Sequence, residues 1–206
     1  MGAASTTRLI RLGAAAVLVT GLAACSSHTS ASPTPSSSIS VPTTVTGSPT
    51  PTPSTSAAAG SVESKDKTFS VVAPTGWKKF SDAQATLSVK APAATDKVTT
   101  NFNVVVQHPT TVPSVDDVVS QAEIAWRQQG VRATDEPDRT IGGLPSRGYT
   151  FTRTAQGTQF RQTQYFVVFR EHVYSMTMTS AATPGAQSAA DQALTAILST
   201  WAWRKV

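Results

Sequence analysis

Three histidines, one cysteine and a short run of acids are the side chains with chemistry to offer in this 206-residue chain. His28, His108 and His172 are scattered, no pair has the spacing of metal ligands, and Cys25 has no second cysteine to share a tetrahedral site. Asp135, Glu136 and Asp138 gather around Pro137, but not at the spacing of an EF-hand calcium loop. They read as a solvated acidic loop. Gly142-Gly143 is not followed by Gly-Lys-Ser/Thr, so it is no phosphate-binding loop. No Gly-x-Ser-x-Gly elbow presents a nucleophile, and a hydrolase would need His108 or His172 to meet a serine and a carboxylate in space. The sequence therefore assigns no catalytic residue, no cofactor and no metal ligand. It offers instead a candidate apolar groove. Tyr174, Met176 and Met178 share one strand face, where methionine adapts to lipid tails, and Trp126 could line a cleft from a helix. The competing reading of all four is core packing.

Cys25 gains meaning from what precedes it. Arg8 and Arg11 form a short positive segment, and Leu12 to Leu22 is apolar and uncharged. The run of about 11 residues is too short for the roughly 20 that span a bilayer. This is the pattern of a secretory signal over residues 1–24. Leu22-Ala23-Ala24-Cys25 resembles the lipobox of bacterial lipoproteins. The resemblance implies a diacylglyceryl thioether on Cys25, cleavage just before it, and residence on the extracytoplasmic face of the cell membrane. Two acyl chains on one cysteine make a stable tether, where one alone is marginal. Lipidation also accounts for a lone thiol in an exported chain, which would otherwise be a liability.

Residues 25–61 are dominated by Ser, Thr, Pro and Ala, with Thr50-Pro51-Thr52-Pro53 as the plainest case. Such a composition builds no core, and proline removes backbone donors, so the stretch reads as a disordered linker. It spans roughly 35 Å as a flexible coil and on the order of 100 Å when fully extended. The formal charge is +5, and the loss of Arg8 and Arg11 leaves +3. That mild, scattered excess reads as a solvated surface and argues against a nucleic-acid partner.

Residues 62–206 have the length of one domain, enough to bury a core unaided. Thr68 to Ala73 reads as a strand stopped by Pro74 and Gly76, followed by short strands at Trp77–Phe80 and Leu87–Lys90 and a Val-rich, central one at Asn101–Gln107. A helix follows, with Ser114 and Asp117 as a capping box, an apolar stripe through Val115, Val118, Val119, Ala122, Ala125 and Trp126, and Gly130 as its stop. After the turn Ile141–Pro145 a three-stranded meander runs through Ser146–Ala155, Thr158–Arg170 and Val173–Ala181, turning at Gln156-Gly157 and Glu171-His172. A last helix opens at Thr183-Pro184 and carries Ala190, Ala193, Leu194, Ile197 and Trp201, with Trp203 in a tail that docks. The expected class is α+β: an antiparallel sheet of about six strands with helices packed on its faces.

Phe69-Ser70-Val71-Val72-Ala73-Pro74-Thr75-Gly76-Trp77, the Ile141-Gly142-Gly143-Leu144-Pro145 turn, and a final helix ending at Trp201 resemble the LpqN/LpqT lipoproteins of mycobacteria over about residues 62–205. They are also similar to the wider fold of PsbP and the Ran-binding Mog protein. That resemblance implies the same sheet-and-helix architecture and a binding or assembly factor rather than an enzyme. Two partners are expected: an envelope lipid or glycolipid held between sheet and helix, or an envelope protein held on a sheet face or loop. An enclosed apolar pocket favours the first, and a flat exposed apolar patch the second.

Overall fold

Three hairpins are built on two-residue turns, each with both residues in the left-handed region. Asp96-Lys97, Gln156-Gly157 and Arg170-Glu171 have φ values of 49 and 67°, 51 and 72°, and 47 and 65°. Their twist matches that of the strands they join. The computed structural model describes residues 60–204, so Cys25, the lipobox, His28 and most of the expected linker lie outside the described residues. In chain order the elements are β1 (Ser61–Glu63), β2 (Phe69–Val72), β3 (Lys78–Lys79), β4 (Leu87–Thr95), β5 (Val98–Gln107), α1 (Val115–Gln128), β6 (Thr134–Ile141), β7 (Leu144–Ala155), β8 (Thr158–Phe169), β9 (His172–Ala181), α2 (Pro184–Ser199) and β10 (Ala202–Trp203).

Seven strands form one sheet in the order β3-β4-β5-β9-β8-β7-β6, and β1-β2-β10 form a second, smaller one. Every pairing is antiparallel. The fold is therefore α+β as expected, with a main sheet of seven strands rather than about six. The unexpected edge strand is β6, where the sequence suggested an acidic loop. Pro137 and Asp138 fall in the register shift between Glu136 and Arg139, so the proline occupies a bulge on an edge strand and costs no ladder bond. Pro92 sits in the same way between Lys90 and Ala94, which lets β4 run on to Thr95. The last hairpin turns at Arg170-Glu171 rather than Glu171-His172, so His172 belongs to β9.

Helix α1 starts as its sequence dictates. The Ser114 hydroxyl accepts from the Asp117 amide at 3.1 Å, and the Asp117 carboxylate accepts from the Ser114 amide at 3.3 Å. Gly130, at φ 74°, ends it. Helix α2 has Pro184 in its first turn, but its N-cap side chain donates elsewhere: Thr183 Oγ1 bonds Asp96 Oδ2 at 2.8 Å and ties the helix to the β4–β5 turn.

Strand alternation divides the core between the two sheet faces. On one face Tyr165, Val167, Tyr174, Met176, Met178, Phe102 and Val104 meet β2, α2 and the two terminal tryptophans. On the other, Tyr149, Phe151, Phe166 and Val173 meet Val119 and Trp126 of α1. Phe69 stacks on Trp201 at 4.1 Å, and Trp203 packs on Phe169 at 4.2 Å. The Ile141–Pro145 turn brings Gly142 directly against both indoles, where a Cβ would stand 2.5 Å from Trp203 Nε1 and 2.7 Å from Trp201 Cδ1. Each buried aliphatic side chain of the α2 stripe, such as Leu194 or Ile197, contributes about 1.5–3 kcal/mol.

Candidate functional site

The four residues expected to line an apolar groove do not share one. Tyr174, Met176 and Met178 are at most 2% exposed and lie in the cluster under α2, whereas Trp126 lies in the cluster under α1 on the opposite face of the sheet. Alternation on β9 explains the first three, because Tyr174, Met176 and Met178 are every second residue and point to the more deeply covered face. Trp126 is anchored by polar contact as well as packing. Its Nε1–H donates to Tyr149 Oη at 3.0 Å, Tyr149 donates to Gln164 Oε1, and Gln164 Nε2 donates to Thr177 Oγ1 at 3.1 Å. Burial pushes the Tyr149 phenol well above its ordinary value, so it stays neutral and serves as a relay of hydrogen bonds.

Two of the three acids around Pro137 are engaged in ion pairs. Glu136 accepts from Arg161 at 3.1 Å with both side chains largely buried, and Arg161 also holds Asp191 of α2 at 2.7 Å. Asp138 faces Arg147 at 3.5 Å. Asp135 lies beside Glu123 of α1, whose carboxyl is raised by burial and then by that neighbour. Among the described residues no group of three or more His, Cys, Asp or Glu side chains gathers to hold a metal ion.

The structure does bring two of the histidines together. His108 and His172 are 64 positions apart in sequence, yet their Nδ1 atoms lie 3.2 Å apart. Neither ring hydrogen-bonds a serine hydroxyl or a carboxylate among the described residues, so the constellation a hydrolase would need is not formed there.

A feature with no forerunner in the sequence reading is an open groove of about 620 Å³ beside β7. The register of β6 stops at Thr134 opposite Thr150, so Phe151–Ala155 has no strand on that side. Counting back from the two-residue turn, Arg153 and Phe151 direct their backbone groups to β8, and Thr152 and Thr154 direct theirs into the groove. Arg132 and Arg161 line it with Arg153, and Gln187 of α2 closes one end. Arg161 is neutralised by Glu136 and Asp191, but Arg153 has no carboxylate partner among the described residues. Its guanidinium lies between two rings, 5.4 Å from the Trp126 centroid and 4.8 Å from that of Phe160, and its buried Nε has no hydrogen-bond partner. Burial lowers the pKa of Arg153, the signature of a charge held without a counter-ion. A single arginine at this position carries no motif, so only the assembled neighbourhood reveals it.

Seen whole, the arrangement is an α+β fold shared with LpqN and Mog1. The crystal structure of LpqN, involved in cell envelope biogenesis of Mycobacterium tuberculosis, superposes with a TM-score of 0.53 at 12% identity, over 70% of this chain and 90% of that one. A mutant of the protein Mog1 gives 0.50 at 9% identity, over 71% and 96%. Cyanobacterial PsbP from Synechocystis sp. PCC 6803 gives 0.48 at 12% identity, over 69% and 91%. No family model and no curated protein sequence matches the chain. At these identities the likeness is one of fold. No helix among the described residues is long and apolar enough to cross a membrane.

Proposed function

We propose that this chain is an LpqN-like, lipid-anchored, non-catalytic binding module of the cell envelope, with the groove beside Arg153 as its ligand site. In this reading the signal over residues 1–24 is removed, Cys25 carries the diacylglyceryl anchor, and residues 25–61 lift the domain off the extracytoplasmic face of the membrane. The lipobox and the fold shared with LpqN support the setting. The ligand is the anionic headgroup of an envelope lipid or glycolipid, whose transport the domain would assist.

The observation that carries this reading is Arg153, a cation without a carboxylate partner, supported on Trp126 and Phe160 and opening on a groove of about 620 Å³. A phosphate or carboxylate there would supply the missing counter-charge to the guanidinium. The acyl tails remain outside, because Met176 and Met178 already fill the space between sheet and helix.

Vesicle sedimentation tests it on the chain from residue 25 onward carrying Cys25→Ala, which lacks both signal and tether and leaves only binding by the domain. Vesicles containing an anionic phospholipid should bring the protein down, and vesicles of phosphatidylcholine alone should not. Arg153→Met keeps the apolar stem over the rings and removes the charge, and should weaken binding about tenfold, equivalent to 1.4 kcal/mol. Equal sedimentation with both vesicle types, or no effect of Arg153→Met, overturns the headgroup reading.

One observation favours a second reading. The outward backbone groups of Thr152 and Thr154 could pair with an extended segment of an envelope protein, adding a strand where β6 stops. A photo-crosslinking side chain at Thr154 would then capture a discrete partner in cells, and an empty lane rejects it.

A further inference from the structure

His108 follows the last residue of β5, and Gln107 pairs with Val173, so continuing the ladder by one step sets His108 directly opposite His172 at the start of β9. Cross-strand neighbours on one face hold their Cβ atoms about 4.5–5.5 Å apart, close enough for two imidazoles to meet. They meet through the same atom, Nδ1 to Nδ1 at 3.2 Å, with ring centroids 4.2 Å apart and planes at 73°. The centroids are little farther apart than the nitrogens. The rings are therefore not in line, and the contact is a bent hydrogen bond whose donor depends on the tautomer.

We propose that His108 and His172 form a two-histidine site for a divalent transition-metal ion, Zn²⁺ or Cu²⁺, bound through the two Nδ1 atoms. Two metal–nitrogen bonds of about 2.0–2.1 Å meeting near 100° place their nitrogens about 3.2 Å apart, with the rings turned until both Nδ1 lone pairs aim at the ion in place of the hydrogen bond. Imidazole suits these ions, whereas Ca²⁺ and Mg²⁺ take oxygen ligands. His108 is exposed and His172 half-buried, so an ion can enter from solvent and water can complete its coordination. Because the ligands come from the end of β5 and the start of β9, a bound ion clips the two strands together at the open end of their ladder. The site lies on strands β5 and β9, apart from the groove beside β7, and stands or falls independently of the function proposed above.

Isothermal titration of the chain carrying Cys25→Ala, which removes a competing thiol, should find saturable binding of one Zn²⁺ per chain and tighter binding of one Cu²⁺, with no response to Mg²⁺. His108→Ala and His172→Ala should each weaken Zn²⁺ binding by about tenfold or more, and the double variant should lose nothing further beyond the second ligand's share. Nitrogen NMR of the imidazoles in the unmutated rings should show Nδ1 of His108 and His172 shifting together on Zn²⁺ addition. Zn²⁺ affinity unchanged in either variant, Nδ1 signals that do not move, or no saturable binding at all would each overturn the proposal and assign any residual uptake to His28 or scattered carboxylates.

Discussion

Replacing Gly142 by alanine puts a single methyl group where the structure has no room for one. The residue sits at φ +58°, and a Cβ there would meet Trp203 Nε1 at 2.5 Å, Trp201 Cδ1 at 2.7 Å and Trp203 Cδ1 at 2.9 Å. The left-handed backbone costs a non-glycine residue about 1–2 kcal/mol. Forcing the two indoles aside in a packed core costs about 1–3 kcal/mol more. The expected loss is thus about 2–5 kcal/mol, a large share of the 5–15 kcal/mol that holds a typical domain together. Gly157→Ala is the matched control, since it has φ +72° and nothing within 4 Å of its Cβ. It bears only the backbone cost. Urea unfolding followed by tryptophan fluorescence separates the two, and the midpoint should fall much further for Gly142→Ala with the slope unchanged. If both variants lose the same stability, the indoles yield freely and the close approach is not a constraint on the fold.

Met176→Ala should cost about 2–5 kcal/mol in the same assay, because the side chain is fully buried; a loss below 1 kcal/mol would return this position to a ligand groove. Tyr149→Phe strands the Trp126 N–H in the interior and should cost about 1–3 kcal/mol, with a shift in Trp126 emission as a second readout. All three tyrosines are raised above their ordinary value, first of all by burial. The fold therefore holds protons that the unfolded chain releases near pH 10, so stability is intact below about pH 10 and falls as pH rises beyond it. Phenolate absorbance should appear later in the native protein than in urea, and coincident titrations would contradict the burial. Ser114→Ala removes one half of the capping box and should cost about 1 kcal/mol, measured by the same unfolding midpoint.

Elements with local causes were legible in advance. The Ser114–Asp117 box, Pro184 in the first turn of α2, and the Gln156-Gly157 hairpin each state their own structure over a few residues. Two strands extend beyond what the sequence suggested, β4 past Lys90 and β6 through the expected acidic loop. Pro92 and Pro137 both sit in bulges, where the strand continues past them, and that is visible only once the partner strand fixes the register. Composition also misled at β6, since an edge strand carries charge outward in the same way as a loop does. The site was less legible than the fold. Tyr174, Met176 and Met178 were correctly placed on one face, but Trp126 belongs to the other, because nothing in the sequence says which side of the sheet each helix covers. Arg153 and the His108–His172 pair depend on contacts between distant segments, for which periodicity holds no signal.

The small β1-β2-β10 sheet has a consequence for how the chain reaches its final form. The Val72 amide donates its anchoring bond to Thr200 Oγ1 across 128 positions, and Phe69 lies face to face with Trp201 in the same closure. Strand β2 is thus completed by β10, so the domain stays open until residues 202–203 are delivered. Loss of Ala202 and Trp203 would leave β2 paired with β1 alone, and a chain awaiting them would remain pliant until they arrive.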